Sequence, residues 1–228
     1  MVKKNRSAPR LGERGRTVLP VLALILLAAC ARERPGARQP EGPPPVSPRE
    51  VAQCLADLRG NGSGFSTVPD QQFGPGCGIS GAVALSSLGG DGGQIGVGNL
   101  GPVACPLASE FNAWVRFGID RAARQILGSP LARVETMGSY SCRNVAGSTR
   151  RSAHSQARAI DVGGFVLADG RRVSVLADWN GGTDAERKFL RVIHRSACRR
   201  FGVVLGPDYN AAHRDHLHIE EGGGSFCR

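Results

Sequence analysis

The clearest periodicity in the chain runs from Leu107 to Ile126. Leu107, Phe111, Trp114, Val115, Ile119, Ala122, Ala123 and Ile126 recur at intervals of three and four, which puts them on one face of a helix. Pro106 suits the first turn of that helix and Gly128 the position just past its end, so a helix is predicted over about 106–127. Thr183 followed by Glu186 has capping-box spacing. It predicts a second helix from there to about Phe201 that buries Leu190, Ile193 and Ala197, with Gly202 closing it and His194 at its boundary. A short helix over 50–58 would carry Val51, Leu55 and Leu58. The rest reads as strands: Arg133 to Tyr140, a hairpin of Phe165–Leu167 and Val173–Leu176 across Asp169-Gly170, Val203–Leu205, and a last strand from His216 to Glu220. Residues 59–104 are rich in Gly and predict loops and short strands. Helices and strands segregate along the chain. The expectation is therefore α+β, a small mostly antiparallel sheet with packed helices.

The apolar run at the N-terminus has a different meaning. Lys3, Lys4, Arg6, Arg10, Arg14 and Arg16 precede an apolar stretch from Val18 to Ala29 that only Pro20 interrupts. That is the length of a signal-peptide core and short for a membrane span. It ends in Leu27-Ala28-Ala29-Cys30, which resembles the lipobox of bacterial lipoproteins and implies lipidation at Cys30. Residues 31–49 are rich in Pro, Arg, Gly and Glu, favour extended solvated backbone, and read as a tether. The organisation expected is a leader over 1–29, a lipidated Cys with its tether over 30–49, and one folded domain over 50–228, a size that supports a single core. The protein would lie on the extracytoplasmic side, attached to a membrane through its lipid.

Charge changes this picture little. The formal net charge of +10 includes six basic residues and one acid, Glu13, in the leader, which leaves +5 on the remainder. Only three of 29 basic residues are Lys, and no basic block interleaves with aromatics, so nucleic acid is set aside as a partner. The cysteines say more. Beyond Cys30 there are six, at 54, 77, 105, 142, 198 and 227. An even number in an exported chain predicts three disulfides, with fifteen pairings possible.

Chemistry concentrates in two segments. Three of the five histidines fall in His213-Arg214-Asp215-His216-Leu217-His218, and a fourth, His154, lies seven residues before Asp161. Neutral imidazole is the commonest nitrogen ligand for transition metals, and catalytic zinc keeps three His or acidic ligands and an open position. On a strand, His216, His218 and Glu220 share one face while Leu217 and Ile219 point to the core. Asp215 would point away unless it sits on the bend before the strand. The general base is therefore open among Asp215, His216 and His213.

Ser152-x-His154-x-x-Ala157-x-Ala159-x-Asp161 resembles the S-x-H-x-x-G-x-A-x-D motif of zinc D-Ala-D-Ala peptidases, a group that includes murein endopeptidases and the hedgehog domain. Asp215-x-x-His218 and His216-x-His218 resemble that group's second motif. From Cys77 onward, Ser139-Tyr140-Ser141-Cys142-Arg143, the stretch from Phe165 to Trp179 and Leu205-Gly206-Pro207 resemble the bacterial extensin-like C-terminal domain family. The resemblance implies a D-Ala-D-Ala-metallopeptidase/hedgehog-like fold. It also implies zinc held by His154, Asp161 and His218 with water in the fourth position, and His216 just outside as base or donor. Arg143 would polarise the scissile carbonyl, and Ser152 would hold substrate or orient His154. The implied activity is hydrolysis of an amide bond in peptidoglycan stem or cross-link peptides. The other reading is a non-catalytic wall-binding module that keeps the fold. One position departs from the motif, with Ala157 where the pattern has Gly.

Overall fold

The computed structural model describes residues 46–222 and 226–228. The leader, Cys30 and the tether up to residue 45 lie outside the described residues. The first helix, α1 (Pro48–Gly60), starts two residues before the expected domain boundary. Ser47 caps it in a reciprocal capping box with Glu50, and Pro48 occupies its first turn.

Among the described residues twelve strands follow in chain order: β1 (Gly64–Val68), β2 (Gln71–Gly74), β3 (Cys77–Ile79), β4 (Ala82–Gly89), β5 (Gln94–Gly98), β6 (Pro102–Ala104), β7 (Leu131–Gly138), β8 (Ala159–Leu167), β9 (Arg172–Ser174), β10 (Val203–Leu205), β11 (Leu217–Glu220) and β12 (Phe226–Cys227). Ten of them form one sheet whose main path is β1-β4-β5-β7-β8-β11-β10-β12, with β6 on β4 and β9 on β8. The pair β2-β3 is separate. The architecture is α+β and the sheet mostly antiparallel, as expected, but the sheet is not small. The pairs β5-β7 and β10-β12 are parallel. Much of the extra sheet comes from the Gly-rich region, where Val83, Leu85, Leu88 and Ile95 each reach the core.

The long helix forms as α2 (Cys105–Trp114) and continues as π-helical turns over Val115–Asp120 and Ala123–Leu127. Gly128 closes it in the left-handed conformation at φ 72°, a backbone region that costs Gly least. The segment Val175–Leu176, expected to extend a hairpin strand, instead begins α3 (Val175–Gly181). The reason is local. The Ser174 hydroxyl accepts from the Ala177 N–H, and the Asp178 carboxylate accepts from the Ser174 N–H, so the chain is capped into a helix after three strand residues. The fourth helix, α4 (Asp184–Cys198), carries the expected capping box of Thr183 and Glu186. His194 lies on it at the boundary, edge-on to Trp179.

Helices and sheet share one core. Phe111, Trp114 and Ile119 meet Phe189, Leu190 and Ile193 of α4 and the inward residues Val134, Ile160, Val162, Leu217 and Ile219. The Trp114 indole N–H is satisfied by the Ser196 hydroxyl at 2.8 Å. Disulfides join Cys54 to Cys105, Cys77 to Cys142 and Cys198 to Cys227. Such bonds persist in oxidising compartments and fit a protein of the cell envelope or exterior. Among the described residues no helix is long and apolar enough to cross a membrane.

Candidate metal centre

The two histidine segments meet on neighbouring central strands. β8 and β11 run antiparallel, and their register sets Asp161 directly opposite His218. Because Ile160 and Val162 take the core face, Asp161 is left on the other face, as is His218 between Leu217 and Ile219. His154 arrives from a single 3₁₀ turn, Ala153–Gln156, just before β8. Ser152 is buried and caps that turn, its hydroxyl accepting from the His154 N–H. The contact is to the His154 backbone and fixes the turn that carries it.

The turn ends in an unusual backbone conformation. Ala157 ends it at φ 55°, ψ 30°, in the left-handed region that costs a non-Gly residue about 1–2 kcal/mol. Packing and pairing hold it there. Ala157 is fully buried, its N–H donates to the His154 carbonyl, and its own carbonyl accepts from Ala104. Ala157 thus holds a backbone angle that usually favours Gly.

The side chains of His154, Asp161 and His218 converge. His154 Nε2 lies 3.2 Å from Asp161 Oδ2 and 3.2 Å from His218 Nδ1, and His218 Nδ1 lies 2.8 Å from Asp161 Oδ1. Ligand atoms of a tetrahedral zinc, with bonds of about 2.0–2.1 Å, stand roughly 3.3 Å apart. The opposite nitrogen of each ring is held from behind. His154 Nδ1 donates to the Ser139 carbonyl at 3.1 Å, and His218 Nε2 donates to Glu220 Oε1 at 2.8 Å. Both contacts leave the converging nitrogens free to be acceptors, as metal-binding histidines require. All three residues are largely shielded, with side-chain exposures of 3, 14 and 7% for His154, Asp161 and His218. The three lone-pair donors fit a divalent cation of the zinc class.

Electrostatics follow from the same contacts. Burial favours the neutral acid at Asp161, but hydrogen bonds from His154 and His218 outweigh it and hold the carboxyl well below the usual range. Burial opposes charge on His218 as well. Hydrogen bonds to Asp161 and Glu220 outweigh that and raise it to about 9.

The remaining candidates surround this triad. His216 Nε2 lies 3.4 Å from Asp161 Oδ1, while its Nδ1 meets Asp215 Oδ1 at 2.8 Å. Asp215 and His216 precede β11, so the bend into the strand lets the Asp215 carboxylate reach the histidine. His213 ends a 3₁₀ turn, Ala211–His213. Its Nδ1 meets Asn210 Oδ1 at 2.7 Å and its ring stands 5.2 Å from that of His216. Burial, together with the charges of His216 and His218, pushes His213 down to about 4. Arg143 is exposed, its charge is felt at His213, and it makes no ion pair among the described residues. Sequence reasoning gave Glu220 and the Ser139 carbonyl no role. Glu220 was recognisable as the next residue on the His218 face, whereas a backbone carbonyl from a distant strand end has no sequence signal.

A family model described as "Extensin-like protein C-terminus" matches residues 52–228, and the chain belongs to that family. No curated protein and no solved structure matches the chain.

Proposed function

We propose that the domain is a zinc-dependent hydrolase of peptide amide bonds in peptidoglycan. The observation that carries this reading is the convergence of His154 Nε2, Asp161 and His218 Nδ1 with each imidazole held from behind by an acceptor. When bound, the ion supplies Lewis acidity for attack of water on an amide carbonyl. His216 is the best-placed base, since Asp215 takes its Nδ1 hydrogen and leaves Nε2 toward the ligand cluster. His213, held neutral with its Nδ1–H donated to Asn210, stands beside it. Arg143, without a carboxylate partner among the described residues, offers a positive charge to the developing oxyanion. The substrate class comes from the resemblance to D-Ala-D-Ala peptidases, and an anchor at Cys30 with a tether to residue 49 would hold the domain within reach of the wall.

The test is digestion of purified wall sacculi by the zinc-loaded chain with mass spectrometry of the products. Release of a peptide or D-amino acid, lost in His218→Ala and on chelation, supports the hydrolase. Sedimentation with sacculi and no cleavage supports a wall-binding module instead.

A further inference from the structure

His213 and His216 stand beside the triad as a second pair built in the same way. The ring centroids of His154 and His218, the imidazoles of the triad, are 5.0 Å apart, and those of His213 and His216 are 5.2 Å apart. Two imidazoles on one tetrahedral zinc, with bonds of about 2.0–2.1 Å, place their centroids roughly 5 Å apart. One ring nitrogen from each of His213, His216 and His218 lies within 4.8 Å of the other two. Both rings of the second pair are also held from behind. Asn210 Oδ1 takes the His213 Nδ1 hydrogen at 2.7 Å, and Asp215 Oδ1 takes that of His216 at 2.8 Å. Nε2 is then the lone-pair nitrogen of each ring, the state in which imidazole binds a metal. Asn210 is itself fixed, because the same oxygen accepts from the Ala212 N–H at 3.0 Å and caps the turn that carries His213.

Asp161 supplies a third ligand. Its Oδ2 lies 3.2 Å from His154 Nε2, while its Oδ1 lies 3.4 Å from His216 Nε2. The second spacing matches the roughly 3.3 Å between ligand atoms on one tetrahedral zinc. Oδ1 also meets His218 Nδ1 at 2.8 Å, a contact that an ion on that nitrogen replaces. We propose that the chain takes a second divalent ion of the zinc class, held by His213, His216 and Oδ1 of Asp161, so that the Asp161 carboxylate bridges two ions. Paired ions of hydrolytic centres stand about 3.5–4 Å apart. The second ion binds more weakly than the first. It shares the single charge of Asp161, and His213 is partly exposed whereas His154 and His218 are buried. The chain as purified keeps the first ion, and the second enters when zinc is in excess. Its consequence rests on the hydrolase reading of the adjoining centre. An ion on His216 Nε2 occupies the lone pair that would take a proton from the attacking water, so one ion gives an active centre and two give an inhibited one.

The test uses the full chain, stripped of metal and dialysed against rising zinc, with metal content measured at each step. Wild type should fill in two steps, to one and then two ions per chain. His213→Ala should stop at one. Asn210→Ala should leave the first step in place and weaken the second about 10–100-fold. Electron paramagnetic resonance of the Co²⁺-loaded chain locates the second ion, because two Co²⁺ ions that share a carboxylate couple magnetically and a distant adventitious ion does not. Cleavage of wall sacculi, followed over the same titration, should rise with the first ion and fall by about 10²-fold or more with the second. A single step in wild type, a second ion that is uncoupled or survives in both variants, or undiminished cleavage at two ions would overturn the proposal. A coupled pair without cleavage at any loading would refute the hydrolase and support the two-ion site.

Discussion

The His218 imidazole donates from Nε2 to Glu220, two residues along the same strand, and thereby presents Nδ1 to Asp161 and His154. The alternation of a β-strand puts the two side chains on one face, so the tautomer of a candidate ligand is set by its own strand. Replacing Glu220 with Gln keeps the size and removes the charge. Zinc affinity, measured by competition with a chromophoric chelator, should fall about 10–100-fold. An unchanged affinity would show that Glu220 does not tune the ligand.

In the metal-free chain His218 is raised to about 9, so it is protonated at pH 7 and zinc must displace that proton. Calorimetry in buffers of different ionisation enthalpy should detect about one proton released per zinc at pH 7. The release should decline as pH passes 9, and apparent affinity should rise up to that point. The same raised value stabilises the metal-free fold. That contribution is full below about 6.5, the ordinary histidine value, and is lost as pH rises through 9. Melting of the metal-free chain across this window checks the sign.

The Cys77–Cys142 disulfide closes a 65-residue separation and ties down the segment that backs His154. In that segment Ser139 supplies the carbonyl on His154 Nδ1, and the Ser141 N–H donates to the His154 carbonyl. Replacing both cysteines with Ala should cost about 2–4 kcal/mol in chemical denaturation. It should also weaken zinc binding, whereas a loss of stability with wild-type zinc affinity would separate the bond from the site.

Arg143 is exposed and makes no ion pair among the described residues, so Arg143→Ala should change stability by less than about 0.5 kcal/mol. If its charge faces the oxyanion, kcat/KM should fall by about 10²–10³ with zinc content unchanged. A variant with normal turnover would remove Arg143 from the mechanism.

The resemblance to the zinc-peptidase motif pointed to His154 and Asp161, and strand alternation put His218 on one face with His216 and Glu220; the structure brings the three side chains together. The helices expected over about 106–127 and from Thr183 to about Phe201 were legible through apolar spacing and a capping box. What escaped was set by pairing between distant segments. The Gly-rich stretch becomes sheet because Val83, Leu88 and Ile95 find a core that its composition does not announce. Val175 and Leu176 look like strand residues, and one Ser–Asp cap turns them into helix. The bulges at Met137 and Gly163 exist only in the register between β7 and β8. The cysteine count predicted three disulfides without their partners, since proximity in space chooses the pairing.

Metal analysis of the purified chain tests the central claim most directly. It should find one zinc per chain in the wild type and none in His154→Ala, Asp161→Ala or His218→Ala, each still folded by circular dichroism. A folded wild-type chain that takes up no zinc, or variants that retain it in full, would contradict the assignment of these three residues as the metal centre.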